Sequence, residues 1–380
     1  MTHINVLHLA SFNGNIGDNA NHNGFYNTLK KTCRHELNVT ELEIREFYWK
    51  QKFFDSTFID YSNQFDVLII GGGNYFELWV EHSPTGTSVM IDPELFKKIK
   101  IPVIFNALGV DPRKGASQEC CNKFRHFLDI IFEDNKNLVS MRNDGSMKNL
   151  IKYIGQEYAD KFLWTPDAGI NLQNIKETTH PTQPYLAVNI AGDMLDLRFP
   201  NSSDNSYSQF INDIAATITN AIDNGLVNEA VLIPHIFRDI QSIGELLEVL
   251  PDHIRRKHIT VAPLLNGTGC EEKIFGLYQH AKITLAMRFH ANLCSISFGT
   301  PTIGLISYRQ INDLYEELEL NNFSVDITKK HTKDNILKLM HDINKNTSIK
   351  ELFEKVALKN KASHQKYINK VTTFLDKQFI

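Results

Sequence analysis

Residues 283–308 read ITLAMRFHANLCSISFGTPTIGLISY, and the parsing of this stretch decides the fold. Residues 283–287 are a short apolar run, the pattern of a buried strand. Arg288, His290 and Asn292 come directly after it, then the small-residue segment 291–298, which reads as a helix. Gly299 and Pro301 mark where that helix stops. A second apolar run, 302–306, reads as the next strand and is closed by Ser307, Tyr308 and Arg309. Arg288 and His290 therefore stand where a strand ends and a helix begins. Ligands of open α/β sheets bind at that edge, and helix N-termini favour anions. One cation, one titratable imidazole and backbone donors at one point suggest an anionic substrate.

The same alternation recurs on the N-terminal side. Runs at 4–10, 38–44, 66–73, 101–108 and 138–142 read as strands, 117–132 is helical in period, and 162–170 closes a first half. Asn143 or Asp144 is placed to cap a helix after the fifth run. Segment 171–184 is polar, contains Pro181 and Pro184, and is the linker candidate. Beyond it, 185–191, 229–234 and 258–262 are further strands. Strands alternating with helices imply βαβ units and parallel sheets. The expected fold class is α/β: two Rossmann-like domains, residues 1–175 and 180–328, whose parallel sheets face a cleft. A Lys-rich helical tail, 329–380, is expected to pack back across the first domain.

Composition sets outer bounds. At 380 residues the chain has enough material for two cores. A hydrophobic content of 42% and a charged content of 22% are ordinary for a globular protein. A net charge of -4, with no basic run, argues against nucleic acid as the main partner. No apolar run approaches the roughly 18 residues that span a bilayer, and residues 1–10 read as a first strand rather than a signal peptide. The five cysteines show no Cys-x-x-Cys spacing, so free thiols in a reducing cytoplasm are expected, with no metal site.

Several other positions invite chemistry. The segment 11–23, SFNGNIGDNANHN, reads as a tight loop after the first strand, with Gly17 allowing close approach. Asp18 serves either as a base or as a helix N-cap. Gly71, Gly72 and Gly73 follow a buried strand without a Gly-x-Gly-x-x-Gly pattern, so they mark close approach by a ligand or a second domain rather than a dinucleotide site. Arg142 also follows a strand and can hold a carboxylate or phosphate bidentately. Asp167 either orients an arginine or caps a turn. His235 reads as a packed or surface residue before a ligand contact, and Glu271 and Glu272 suit the start of a helix. His22, His82 and His280 have no partner at a telling spacing.

Arg-x-His-Ala, a small-residue helix, Gly-x-Pro, a strand and then Tyr308 resemble the C-terminal signature of the polysaccharide pyruvyltransferase family. Gly17-Asp18, the run from Asp66 to Gly73, Arg142-x-Asp144 and Pro166-Asp167 match shorter blocks of the same family. The resemblance implies a glycosyltransferase B-like architecture with the first domain on the acceptor side. It implies transfer of the enolpyruvyl group of phosphoenolpyruvate to sugar hydroxyls of a surface-polysaccharide precursor, closing a pyruvate ketal. On that reading Arg288, Arg142 and Arg309 bind the donor's anions, helped by Gly17, Gly71, Gly72, Gly73, Asn292 and Tyr308. His290 and Asp18 transfer protons. No cofactor is expected beyond phosphoenolpyruvate as donor. The partners implied are a lipid-linked or nucleotide-linked sugar acceptor, peripheral contact with a membrane, and a second copy of the chain. One departure stands out: Gln310 occupies the position where the family commonly has a lysine. It keeps in view a non-catalytic glycan-binding relative, and the Glu271-Glu272 pair keeps in view a nucleotide-sugar-dependent glycosyltransferase of the same architecture.

Overall fold

The computed structural model describes residues 2–113, 115–133, 135–173, 175 and 180–379. Two six-stranded sheets carry the chain, and their strand pairs are parallel. The first is made of β1 (His3–Ala10), β2 (Glu36–Glu43), β3 (Val67–Gly71), β4 (Val103–Leu108), β5 (Asn137–Met141) and β6 (Leu163–Trp164). Its spatial order is β2-β1-β3-β4-β5-β6. The second holds β7 (Tyr185–Asn189), β8 (Glu229–Leu232), β9 (Ile259–Val261), β10 (Ile283–Ala286), β11 (Thr302–Ile306) and β12 (Ser324–Asp326), in the order β9-β8-β7-β10-β11-β12. Strand order reverses between β1 and β3 in one sheet and between β7 and β10 in the other. In doubly wound sheets those reversals open the crevices where ligands bind. The α/β class and the two parallel sheets are those read from sequence. β3, β7 and β10 are buried along their whole length, which is why they read as unbroken apolar runs. β12 has a single apolar residue, Val325, and left no such signal.

The longer helices are α1 (Ile16–Thr32), α2 (Gln118–Glu133), α3 (Ser146–Tyr153), α4 (Tyr207–Asp223), α5 (Phe237–Val249), α6 (Glu271–Gln279), α7 (Phe289–Ser297), α8 (Arg309–Glu317), α9 (Thr332–Lys345) and α10 (Ser348–Gln378). Their periodicity explains them. In α2, Cys120, Phe124, Phe127, Leu128 and Ile131 recur at helical spacing and are buried. Ser206 starts α4 by accepting the Gln209 N–H at 3.2 Å.

Two local expectations are corrected. Segment 11–23 is not all loop, because α1 begins at Ile16: Asn15 turns the chain by accepting the Gly17 N–H at 3.1 Å, and Asn19 and Asn21 are buried helical residues. Neither Asn143 nor Asp144 caps α3. The N-cap is Gly145 at φ +82°, and Asp144 binds Arg142 and the Ser146 hydroxyl instead.

One compact unit contains Met1–Phe12, Asn21–Ala168 and Lys361–Ile380, and the other Asn13–Ala20 and Gly169–Asn360. Helices α1 and α10 thus each contribute to both. In the first unit Tyr367, Ile368, Val371 and Leu375 of α10 pack with Ile4, Val6, Val67, Ile69 and Ile104 of the sheet. The Tyr367 hydroxyl donates to Asn106 Oδ1 at 2.7 Å and accepts from Ser140 Oγ at 2.9 Å. In the second unit α4 and α5 bury Phe210, Ile214, Ile218, Ile243 and Leu246 against Leu186, Val188, Leu232, Ile283 and Leu285. Of the expected linker 171–184, residues 174 and 176–179 lie outside the described residues. All five cysteines are free thiols. Among the described residues no helix is long and apolar enough to cross a membrane.

Candidate functional site

At the carboxyl edge of the second sheet, β10 runs into α7 with Arg288 as the extended N-cap residue. Arg288 is anchored along its length. Its N–H donates to Asn189 Oδ1 at 3.0 Å, Nε to Asp239 Oδ2 at 2.7 Å, and Nη2 to Asp193 Oδ1 at 3.0 Å and to Asp239 Oδ1. Asp239, fully buried in the first turn of α5, also accepts the N–H groups of Gly192 (3.2 Å), His235 (2.9 Å) and Ile236 (3.2 Å). One carboxylate therefore ties together the segments that leave β7, β8 and β10. Burial opposes its charge, but the Arg288 hydrogen bonds and charge hold its pKa below the usual value. Burial likewise opposes the charge of Arg288, and Asp239 and Asp193 raise its pKa nonetheless. A second buried arginine, Arg198, reaches Asp193 Oδ1 at 3.4 Å and Ser307 Oγ at 3.2 Å. The cluster holds two guanidinium groups and two carboxylates, so its formal charges cancel.

His290 lies in the first turn of α7 and is largely buried. The structure brings the start of α1 onto it: a Cβ added at Gly17 would fall on its Nδ1. Gly17 and His290, 273 positions apart in sequence, are thus neighbours, and Asp18 follows in the same helical turn, partly exposed. Asn292 is placed differently from expectation. It is fully buried, its Nδ2 donates to the Ala286 and Arg288 carbonyls at 3.0 and 2.9 Å, and its Oδ1 accepts the Tyr315 hydroxyl at 2.8 Å. It fastens α7 to β10 and α8. Tyr308 is the N-cap residue of α8. Arg309 is exposed and pairs with Asp313 of its own helix at 3.2 Å. Glu271 is buried and accepts the Gly269 N–H at 2.7 Å, bracing a turn in which Gly267 and Gly269 have φ near +90°. His235 is buried against Tyr278 (2.8 Å), and burial brings its pKa down to about 3.

The carboxyl edge of the first sheet is equally closed in. Arg142 is buried, with Nε on Asp144 Oδ2 at 2.7 Å and Nη1 on Asp167 Oδ2 at 3.3 Å. Asp167 therefore orients an arginine. The three glycines are approached by their own unit: a Cβ at Gly71 would meet the Asn106 carbonyl, at Gly72 the Asn21 amide, and at Gly73 the Tyr75 ring. His8, which drew no attention in the sequence, is fully buried. Its Nε2 contacts the Gly71 carbonyl at 2.9 Å and its Nδ1 the Tyr26 hydroxyl at 2.9 Å. Burial, then the neighbouring His22, lowers its pKa to about 3. His22 packs its ring on His8 and contacts the Ser11 carbonyl at 3.0 Å, and His280 stacks on His180. Among the described residues no group of His, Cys, Asp and Glu is placed to hold a metal ion.

Two lobes of parallel sheet flanked by helices, with polar clusters at their carboxyl edges, define a glycosyltransferase B-like architecture of two Rossmann-like domains. The chain belongs to the polysaccharide pyruvyl transferase family, whose pattern matches residues 15–309. No curated protein matches the sequence. Among solved structures, the UDP-GlcNAc 2-epimerase of Neisseria meningitidis with UDP-GlcNAc bound is similar in fold, with a TM-score of 0.57, 14% identity, and coverage of 98% of this chain and 100% of that one. The UDP co-structure of S. aureus MnaA gives 0.54, at 10% identity and 96% of each chain. The Methanocaldococcus jannaschii UDP-GlcNAc 2-epimerase with UDP-GlcNAc and UDP gives 0.50, at 12% identity, 90% of this chain and 93% of that one.

These findings correct the expected activity. The architecture aligns over nearly its whole length with nucleotide-sugar epimerases, which overturns phosphoenolpyruvate-dependent ketal formation. The expectation of no cofactor beyond that donor falls with it. Arg288 and Arg142, assigned to the anions of the donor, are each paired with two carboxylates of the chain itself.

Proposed function

We propose that the protein is a nucleotide-sugar-dependent enzyme that binds the nucleoside diphosphate at the carboxyl edge of the second sheet. The observation that carries this reading is the hub at Asp239, which fixes the segments leaving β7, β8 and β10 at the strand-order reversal. Pinned that way, α7 presents the positive end of its dipole at the edge, where a diphosphate is favoured. The Gly267–Gly269 turn braced by Glu271 brings a second helix start, that of α6, to a bend that closely approached backbone can form. The fold likeness to enzymes with UDP and UDP-GlcNAc bound supports the same ligand class. His290, in the first turn of α7 beside Gly17, is the group assigned to proton transfer at the sugar. Asp18 is the second carboxylate candidate.

The test is calorimetric titration with UDP, GDP and dTDP and their sugar conjugates, paired with product detection by NMR. Micromolar binding of one nucleotide series is expected. His290→Ala should keep that affinity within about threefold while turnover falls at least about 100-fold, the usual scale for a lost acid–base group. Wild-type protein that binds no nucleoside diphosphate or nucleotide sugar overturns the proposal.

A further inference from the structure

Between β2 and the short helix Ser56–Ser62 a single helical turn, Arg45–Tyr48, runs into a loop, and the aromatic segment 47–54, FYWKQKFF, spans the two. It lies wholly within the first unit. Trp49 is 59% exposed and Phe53 60% exposed, and Tyr48 and Tyr61 beside them are exposed as well. Four large exposed aromatics fall within 14 residues, and two of them, Phe53 and Tyr61, line one cavity, whereas such residues scattered singly would need no explanation. The loop is built to hold them out. Trp49 N–H bonds the Arg45 carbonyl (2.8 Å), and the Gln51 and Lys52 N–H groups both bond the Glu46 carbonyl (2.9 and 3.1 Å). Lys50, at φ +60°, makes the turn. Phe47 and Phe54 stack beneath with ring centroids 4.2 Å apart, and Phe58 closes on both. Beside the exposed rings lies a cavity of about 420 Å³ lined by Leu42, Phe47, Phe53, Phe58, Tyr61 and the stem of Lys52, among others.

We propose that this loop docks the first lobe on an anionic lipid bilayer, with Trp49 and Phe53 at the headgroup level and the cavity receiving an acyl chain. The charge pattern selects lipid over protein. Protein interfaces deplete lysine at their centres, whereas Lys50 and Lys52 stand between the two most exposed rings. Aromatic rings interleaved with lysines match a membrane interface, where rings sit among headgroups and ammonium groups reach the phosphates. Two carboxylates lie beside these lysines: Glu46 pairs with Lys52 at 2.8 Å, an exposed pair worth little that a lipid phosphate can replace, and Asp55, at the cavity's edge, accepts the Thr57 and Phe58 N–H groups. The Lys-rich C-terminal helix buries Ile349, Phe353 and Val356 in the core of the second sheet and Tyr367, Ile368, Val371 and Leu375 in that of the first, and its exposed apolar residues are leucines rather than rings. The inference is independent of the nucleotide reading.

Co-sedimentation with vesicles of phosphatidylcholine alone, and with about a third phosphatidylglycerol, tests it on the full chain. Wild type should pellet with the anionic vesicles only, and less at high salt. Trp49→Ala/Phe53→Ala and Lys50→Glu/Lys52→Glu should each weaken binding at least tenfold, with circular dichroism and UDP titration unchanged from wild type. Wild type that stays in the supernatant, or binding that either double variant leaves intact, overturns the proposal. So does a dimer in sedimentation velocity that Trp49→Ala/Phe53→Ala dissolves, because a second copy would then be the occupant.

Discussion

Asp239 sits in the first turn of α5 with no exposed surface, and three strand ends depend on it. Replacing it with Asn removes the charge that Arg288 needs while nearly keeping the shape. Breaking a buried pair in this way costs about 3–5 kcal/mol, so urea unfolding of Asp239→Asn at neutral pH should show a loss on that scale. Because its folded pKa is depressed, the stabilisation is present above the unfolded carboxylate range and is lost as pH falls through the folded value. The difference between wild type and variant should therefore shrink in acid. A constant difference down to low pH would mean that the carboxylate is not ionised in the native protein. Arg288 was legible in the sequence because it ends an apolar run. Its partner was not, since no periodicity links residues 49 positions apart, and Asp239 reads locally as one more acidic residue near a helix start.

Elements meet at glycines whose need is invisible along the chain. Gly17 lies in α1 where a side chain would intrude on His290 in α7. Gly17→Ala should cost about 1–3 kcal/mol through overpacking and depress turnover with it. Gly244 in α5 has open space around its Cβ position. There the same substitution should stabilise, by up to about 1 kcal/mol of helix propensity. Thermal melts of the two variants should move in opposite directions, and a Gly17→Ala protein as stable and active as wild type would refute the contact. The central strands of both sheets, β3, β7 and β10 among them, were readable because burial on both faces leaves apolar runs, which β12 at the edge lacks. The first turns of α1 were not: Asn, Gly and Asp favour turns on local grounds, and the packing of Ile16 and Ala20 against Leu172, Ala187 and Phe275 overrides that preference.

Each sheet of the molecule keeps a neutral histidine at its carboxyl edge. His8 and His235 both have pKa values near 3 because burial disfavours the imidazolium form. An unfolded histidine takes up a proton near pH 6.5, so the unfolded state gains protons first as pH drops. Stability should be complete above about pH 6.5 and decline steadily toward about pH 3. Denaturant midpoints measured at pH 7, 6 and 5 should already fall, because the two rings outweigh Glu77, whose carboxyl burial pushes up to about 7 so that it takes up a proton in the native state over the same interval and opposes them. A flat profile over that interval would show that these rings are charged in the native state.

The first unit is assembled from pieces that straddle nearly the whole chain, with α10 completing its core beside β1, β3 and β4. During synthesis, strands β1 to β6 emerge early, but one face is covered only in part, by Phe25 and Leu29 of α1, until residues 361–380 follow. Roughly 190 residues separate the two, a wait of about 10–40 s at ribosomal speeds of about 5–20 residues per second. The later half, whose sheet and covering helices α4, α5, α7 and α8 arrive together, can close before the earlier one. The N-terminal lobe is then the last to become resistant to proteases, and it is the part of the newborn protein that most needs shelter by chaperones.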